Sequence, residues 1–217
     1  MEILSEKLRR IVAEELMAES LDVVDVLPDM THLVPDIPPP EPGSPEEAMD
    51  LYRVVEQYHN RVVPEELQDA CDEDMVELFE RVLLSKGITI NTSYYNKVIK
   101  SIKPTIKELK KYYGRERPPV TAASHGIKFL SDELDTADSP SYPSGHTIQA
   151  HVVAGLLADL HPELAEEITA VADIVSESRI DRGVHFPTDV VYGKVVAEIL
   201  TSEILNSLDE RKPEGLS

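Results

Sequence analysis

Residues 141–160 read SYPSGHTIQAHVVAGLLADL, and this stretch decides what kind of fold the chain can adopt. Apolar residues recur at helical spacing after the first histidine, which predicts a helix that begins between Ser144 and His146. Free amides and the positive dipole end of a helix start attract an anion, and Gly145 lets the backbone approach it closely. Alone the pattern is weak evidence, because a serine before glycine often only caps a helix.

Outward along the chain, residues 178–189 read SRIDRGVHFPTD and combine a histidine with a following helix start. Pro187 is placed to begin a helix, which puts Asp189 in its first turn, one turn after His185. The carboxylate can then hold one ring nitrogen while the other nitrogen faces a ligand. This spacing predicts a histidine nucleophile together with the group that orients it.

Residues 110–118, KKYYGRERP, supply basic groups at a helix end and in the segment after it. Lys110 closes a predicted helix, and the proline after Arg117 holds that arginine in an extended conformation. A rigid guanidinium and a flexible ammonium together suit a bound phosphate. For the basic residues upstream we predict a solvated helix face, comprising Lys97, Lys100, Lys103 and Lys107.

Helical patterns cover most of the remaining chain, and strand signals are few, so an all-α fold is predicted. The predicted helices are 4–18, one that starts at Ser44 and Pro45, 64–85, 93–103, 104–113, 144–160, 162–179 and 187–207. The proline-rich segment from Pro35 to Pro45 is predicted to be extended, as a linker or a wrapping arm. Cys71 falls on an apolar helix stripe and is predicted to be a buried residue without chemistry.

Composition limits the partners and the compartment. The 217 residues include 41 acidic and 21 basic side chains, and the net charge of −20 opposes binding to nucleic acid. A single cysteine, a start (MEILSEKLRR) without an apolar signal and the lack of a 20-residue apolar run predict a cytoplasmic protein with no membrane span. We expect an N-terminal helix and connector over 1–34, a catalytic domain over 35–208 and a tail over 209–217.

Together the three stretches resemble the signature of the superfamily that joins type 2 phosphatidic acid phosphatases, bacterial class A non-specific acid phosphatases and vanadium-dependent haloperoxidases. That signature is Lys-x6-Arg-Pro, Pro-Ser-Gly-His and Ser-Arg-x5-His-x3-Asp, and every specified position is present in order. The nearest likeness is to the class A phosphatases, which share the proline-rich stretch and the form SYPSGHT. The chain differs from them in lacking their secretion signal and in the charged pair Asp181-Arg182, where many relatives carry apolar residues.

The resemblance implies a compact helical bundle of the acid phosphatase and vanadium haloperoxidase type, and it implies a role for each site residue. His185 would attack phosphorus, Asp189 would fix its tautomer, and His146 would protonate the leaving oxygen and later activate water. The phosphoryl oxygens would be held by a cradle of Lys110, Arg117, Ser144, Gly145 and Arg179. No metal would be needed, because these cationic groups do what a divalent ion does elsewhere.

Three functions stay open from the sequence. The favoured one is a metal-independent acid phosphatase that hydrolyses soluble phosphomonoesters or diphosphates through a phosphohistidine, without a cofactor. A vanadium-dependent haloperoxidase would hold vanadate in the same cradle, bonded to His185, although such enzymes are generally much longer. A non-catalytic anion-binding protein would need neither a nucleophile nor a proton donor. The N-terminal helix and the proline arm make a homodimer a reasonable expectation.

Overall fold

The computed structural model describes residues 29–209, which form helices joined by loops, with no strand among them. The α-helices are α1 (Pro45–His59), α2 (Glu65–Glu73), α3 (Met75–Ser85), α4 (Thr92–Tyr113), α5 (Pro118–Ser124), α6 (Gly145–Leu160), α7 (Ala165–Asp181) and α8 (Pro187–Asp209). Short 3-10 turns cover Thr31–Leu33, Asp135–Ala137 and Pro162–Leu164. The all-α prediction is confirmed, while the predicted helix over 4–18 and the tail after 209 lie outside the described residues.

Helix α6 is the central helix of the bundle and packs most extensively against α7 and α8. Its apolar residues are buried on all sides rather than along one stripe, as Val152, Val153 and Leu157 show. A Cβ at Gly155 would lie 2.6 Å from Cγ2 of Thr201, so this glycine lets α8 approach α6 closely. This packing places the first turn of α6 beside the start of α8, where the sequence stretches 141–160 and 178–189 meet.

Two helix boundaries differ from the prediction. The single helix expected over 64–85 breaks at Asp74, whose backbone angles of −140° and 48° are not helical, to give α2 and α3. The two helices expected over 93–103 and 104–113 are one helix, α4, with Pro104 inside it. The flanking Ile102 and Ile106 are both buried in the same core, so packing on either side holds the helix through its proline. The short helix α5 was not predicted.

Residues 35–41 of the proline-rich segment form neither helix nor strand and lie against the bundle. Its carbonyl groups accept hydrogen bonds from buried tyrosines: Tyr142 Oη donates to Ile37 O over 2.6 Å, and Tyr192 Oη to Pro35 O over 2.7 Å. The rings of the two tyrosines stack with their centroids 4.9 Å apart. The arm therefore ties α8 to the loop before α6, close to the predicted site.

Candidate active site

The structure brings all three sequence stretches to one cavity of about 840 Å³. The cavity lies between α4, the junction of α2 with α3, and the first turn of α6. The predicted site residues that line it are Lys110, Arg117, Gly145, His146 and His185. Three further predicted residues, Ser144, Arg179 and Asp189, are fully buried directly behind this lining.

His185 is held between an acid and a base in the loop before α8. Its Nδ1 lies 3.0 Å from Asp189 Oδ2, and its Nε2 lies 3.0 Å from Nη1 of Arg117. A guanidinium only donates, so Nε2 must be the unprotonated acceptor and Nδ1 must carry the proton. Burial, and next the charge of Arg117, lower the pKa of His185 well below 6.5. The ring is therefore a neutral imidazole whose unprotonated nitrogen is Nε2.

Asp189 is fixed by more donors than the sequence indicated. It lies in the first turn of α8, where Oδ2 accepts from the backbone amide of Phe186 over 2.9 Å as well as from His185. Its other oxygen, Oδ1, accepts from Nη1 of Arg115 over 2.6 Å. Burial raises the pKa of Asp189, and the charge of Arg115 opposes that shift. The carboxylate is thereby fixed on both oxygens and cannot rotate away from the imidazole.

Arg115 is a supporting residue that the sequence analysis missed. Its side chain is 5% exposed and also pairs with Asp50 of α1 over 2.8 Å, while its guanidinium lies 3.7 Å over the ring of Phe186. The available signal was position, because Arg115 stands two residues before Arg117 in the same basic stretch. Nothing in the sequence marks Asp50, which lies on the first helix, as its partner.

His146 lies in the first turn of α6 and contacts a second acid that was not predicted, Asp72 at the end of α2. Its Nε2 is 3.2 Å from the backbone oxygen of Asp72 and 3.4 Å from its Oδ1. Burial, and next the charge of Arg179, lower the pKa of His146 to about 3. With no phosphate bound, His146 is therefore neutral across the physiological range.

Lys110 and Arg117 reach the cavity from either side of a sharp turn. Gly114, at φ 60°, ends α4 after Lys110, and Arg117 lies in extended backbone immediately before α5. The Lys110 ammonium donates to the carbonyl of Pro140, and Nε of Arg117 donates to the carbonyl of Ser139 over 2.8 Å. The loop before α6 thus orients both cations.

The two cations are crowded as well as buried. Burial, and next the charge of Arg117, lower the pKa of Lys110 to about 7. Burial also lowers the pKa of Arg117 to about 10, although the charge of Asp189 opposes this. A bound anion would relieve both effects, so the site gains most from a ligand that carries negative charge.

Arg179 is the deepest cation of the predicted cradle and is already paired. It donates to the carboxylate of Asp72 and, over 3.1 Å, to Oγ1 of Thr136, which itself donates to Asp72 over 2.7 Å. Its Nε is buried without a hydrogen-bond partner among the described residues. Burial favours the neutral acid of Asp72, yet the charge of Arg179 and these hydrogen bonds outweigh it and lower the pKa. The Asp72 carboxylate thus lies at the cation that an incoming anion would need.

Ser144 and Gly145 form the start of α6 that the sequence predicted. The Ser144 hydroxyl caps the helix by accepting from the amide of Thr147 over 3.4 Å and from its hydroxyl over 2.9 Å. A Cβ at Gly145 would lie 3.4 Å from Ile106, so α6 begins directly against α4. Gly145 lines the cavity, whereas Ser144 is buried and its hydroxyl is hydrogen-bonded to Thr147.

Within residues 29–209, no group of three His, Cys, Asp or Glu side chains is arranged to hold a metal ion. The polar groups that face the cavity are mostly cationic donors and imidazoles. Such an arrangement can bind an anion, attack it with a neutral imidazole and supply a proton from a second imidazole.

Comparisons with known proteins identify relatives. The family model of the PAP2 superfamily matches residues 87–212. The non-specific acid phosphatase of Salmonella typhimurium is 36% identical over 90 residues, which cover 42% of this chain and 36% of that protein. An acid phosphatase of Zymomonas mobilis is 27% identical over 189 residues, covering 83% of this chain and 71% of the relative. The match to the Salmonella protein therefore spans little more than a third of its length.

The fold is also seen in solved structures. The transmembrane PAP2 type phosphatidylglycerolphosphate phosphatase from Bacillus subtilis superposes with a TM-score of 0.52 at 18% identity, over 97% of this chain and 98% of that one. At this identity the likeness concerns the fold alone. In the described part of the present chain, no helix is long and apolar enough to cross a membrane.

Proposed function

The chain belongs to the PAP2 superfamily, and from this membership and the geometry of the cavity we propose that it is an acid phosphatase. In this proposal it hydrolyses phosphomonoesters or diphosphates through a phosphohistidine on His185, without a metal. One observation carries the proposal most: His185 is a neutral imidazole whose unprotonated Nε2 lies 3.0 Å from the guanidinium of Arg117. A nucleophile and a cation that can hold its target are thus adjacent.

In the first half-reaction, the phosphoryl oxygens take over the donors of Lys110, Arg117 and Arg179. Arg117 moves its hydrogen bond from Nε2 to the phosphate, which frees the lone pair for attack on phosphorus. The new P–N bond forms as the bond from phosphorus to the leaving oxygen breaks. Asp189 stabilises the positive charge that develops on the His185 ring, because its carboxylate keeps accepting a hydrogen bond from the protonated Nδ1.

His146 supplies the proton for the leaving oxygen. Its pKa of about 3 is low because burial and the charge of Arg179 disfavour the imidazolium. A phosphate dianion in the cradle offsets that charge and raises the pKa, so His146 becomes protonated when the substrate binds. In the second half-reaction, neutral His146 takes a proton from water, the hydroxyl attacks phosphorus, and the P–N bond breaks to release inorganic phosphate.

Asp72 sets the condition for binding. Its pKa lies below the usual range, so it remains ionised in mildly acidic solution. The substrate must therefore displace a charged carboxylate from Arg179 rather than meet an already neutral acid. Acidity assists only once Asp72 begins to be protonated, because protonation frees the guanidinium.

The test is hydrolysis of p-nitrophenyl phosphate by purified protein in the presence of a chelator. We expect activity that resists the chelator and is lost in His185→Ala. The control variant His59→Ala removes an exposed histidine outside the cavity and should retain activity. Activity that requires an added divalent ion, or that survives in His185→Ala, contradicts the proposal.

The haloperoxidase hypothesis predicts the opposite pattern in paired assays. Vanadate would then occupy the same cations, and the protein would oxidise bromide with peroxide only when vanadate is added. As a phosphatase, the protein is instead inhibited by vanadate in competition with the substrate. The cytoplasmic location and the homodimer expected from the sequence stay predictions.

A further inference from the structure

We propose that the cavity holds a second anion subsite beyond the cradle, formed by Lys100, Lys103 and Lys107 of α4. We call these three residues the lysine ridge. The subsite accepts substrates whose leaving group carries phosphates of its own, such as a tripolyphosphate or a nucleoside triphosphate. The inference rests on the proposed phosphatase function and adds the class of leaving group to it.

The lysine ridge lies in the cavity that contains the active site. All three of its residues line the same cavity as Lys110 and His185. At 3.6 residues per turn they fall, with Lys110, within an arc of about 80° on α4. At a rise of 1.5 Å per residue they lie about 4.5, 10 and 15 Å from Lys110 along the helix axis. The lysine ridge is therefore a row of side chains along one face of α4 that leads away from the cradle.

The lysine ridge has no partners in the described part of the chain. Its three residues are exposed and make no ion pair or hydrogen bond with any residue between 29 and 209. By contrast, Lys86 pairs with Glu167 and Lys194 with Asp173. In a chain with a net charge of −20, three adjacent unpaired cations are unexpected for a purely solvated face. The sequence analysis predicted only that solvated face.

The junction of α2 with α3 forms a second side of the cavity, which we call the acidic wall. It consists of Asp72, Glu73 and Asp74. Asp72 is engaged with Arg179, and repulsion from the other two directs an anionic leaving group toward the lysine ridge. A cavity of about 840 Å³ leaves ample room for such a group beside the phosphoryl being transferred. Consecutive phosphates of one polyphosphate substrate can thus be held by Lys110 and then by the lysine ridge.

The experiment compares two substrates in the variant Lys100→Gln/Lys103→Gln/Lys107→Gln. We measure kcat/KM for tripolyphosphate relative to that for p-nitrophenyl phosphate, in chelator so that no divalent ion screens the charge. We expect this ratio to fall about tenfold, since each exposed contact contributes modestly and three are removed. The control variant Lys86→Gln/Lys97→Gln/Lys128→Gln removes the same charge outside the cavity and should leave the ratio unchanged. A ratio unchanged in both variants overturns the subsite.

A binding measurement separates this inference from the proposed function. In His185→Ala, which is expected not to turn over, calorimetry gives the affinities for tripolyphosphate and for inorganic phosphate. Tighter binding of tripolyphosphate that is lost when the ridge lysines are also replaced supports the subsite, whatever the fate of the phosphohistidine. Equal affinities for the two ligands overturn the subsite and leave the proposed function standing. Preference for phosphoethanolamine over tripolyphosphate would also overturn it, because the acidic wall would then select the leaving group.

Discussion

Replacing Asp72 with asparagine should tighten phosphate binding, because the carboxylate occupies Arg179 before any phosphate arrives. Hydrogen bonds between ionised partners contribute about 1.5–3 kcal/mol, roughly twice the value for neutral ones. Asparagine keeps the shape and one acceptor but removes the charge, so about half of the contact, about 0.75–1.5 kcal/mol, is lost. That corresponds to binding of inorganic phosphate that is about four- to thirteenfold tighter.

The assay is calorimetric titration of inorganic phosphate at pH 7, which reports affinity independently of turnover. The matched control is Asp74→Asn, which removes the same charge from the same helix junction. Asp74 also lines the cavity but makes no contact with Arg179, so its replacement should change the affinity by less than about twofold.

Two results would refute this reasoning. If Asp72→Asn binds phosphate no more tightly than the wild type, the carboxylate does not compete for Arg179. If Asp74→Asn tightens binding as much, the effect is general repulsion by the acidic wall rather than occupation of one cation. Asp72 also contacts His146, so kcat is to be reported separately from affinity.

Three further predictions concern stability. Arg115→Ala leaves two buried carboxylates without their cation, and chemical denaturation should show a loss of about 3–5 kcal/mol; a loss under 1 kcal/mol would contradict the ion-pair assignment. Burial lowers the pKa of His151 to about 4, and the pKa of His146 is also low. As the pH falls below about 6.5, these two histidines therefore bind protons in the unfolded chain while they are still neutral in the folded protein. The free energy of unfolding, measured in urea, should therefore fall from pH 6.5 to pH 4, and His151→Gln should make this fall with pH shallower. An unchanged pH dependence in His151→Gln would contradict the prediction. Gly155→Ala forces a Cβ to within 2.6 Å of Thr201, so we expect a loss of about 1–3 kcal/mol that Thr201→Ser partly restores, and additive effects of the two changes would argue against the contact.

Local signals in the sequence located the helix starts well. Ser44 caps α1 by accepting from the amide of Glu47 over 3.1 Å, with Pro45 in the first turn, as predicted. Ser144 and Pro187 likewise mark the starts of α6 and α8. In each case the signal is chemistry between residues a few positions apart, which needs no knowledge of the fold.

The interior of helices was harder to predict, because packing overrides local preference. Pro104 is typical of a helix start, yet the buried Ile102 and Ile106 on either side hold α4 continuous through it. Asp74 carries no strong breaking signal, yet its backbone leaves the helix and turns the end of α2 toward the cavity. The continuity of α4 through Pro104 thus depends on core packing, which involves segments that are distant in the sequence.

The site shows the same division between local and long-range information. The pair His185 and Asp189 was predicted from helical spacing, and its contact of 3.0 Å is present. The supports contributed from other helices were not predicted, because nothing in the sequence distinguishes Asp50 and Asp72 from the other acidic residues of their predicted helices. Asp50 supports His185 indirectly, through Arg115 and Asp189. Asp72 contacts His146 directly.

The most direct test of the account is to trap the phosphoryl group on the enzyme. Protein mixed with p-nitrophenyl phosphate is quenched within milliseconds in alkali, which preserves phosphohistidine, and the modified peptide is sequenced by mass spectrometry. The account predicts a phosphoryl group on His185 that accumulates in His146→Ala, because water is then no longer activated, and is absent in His185→Ala. Turnover with no phosphoryl group at His185 in either the wild type or His146→Ala would contradict it.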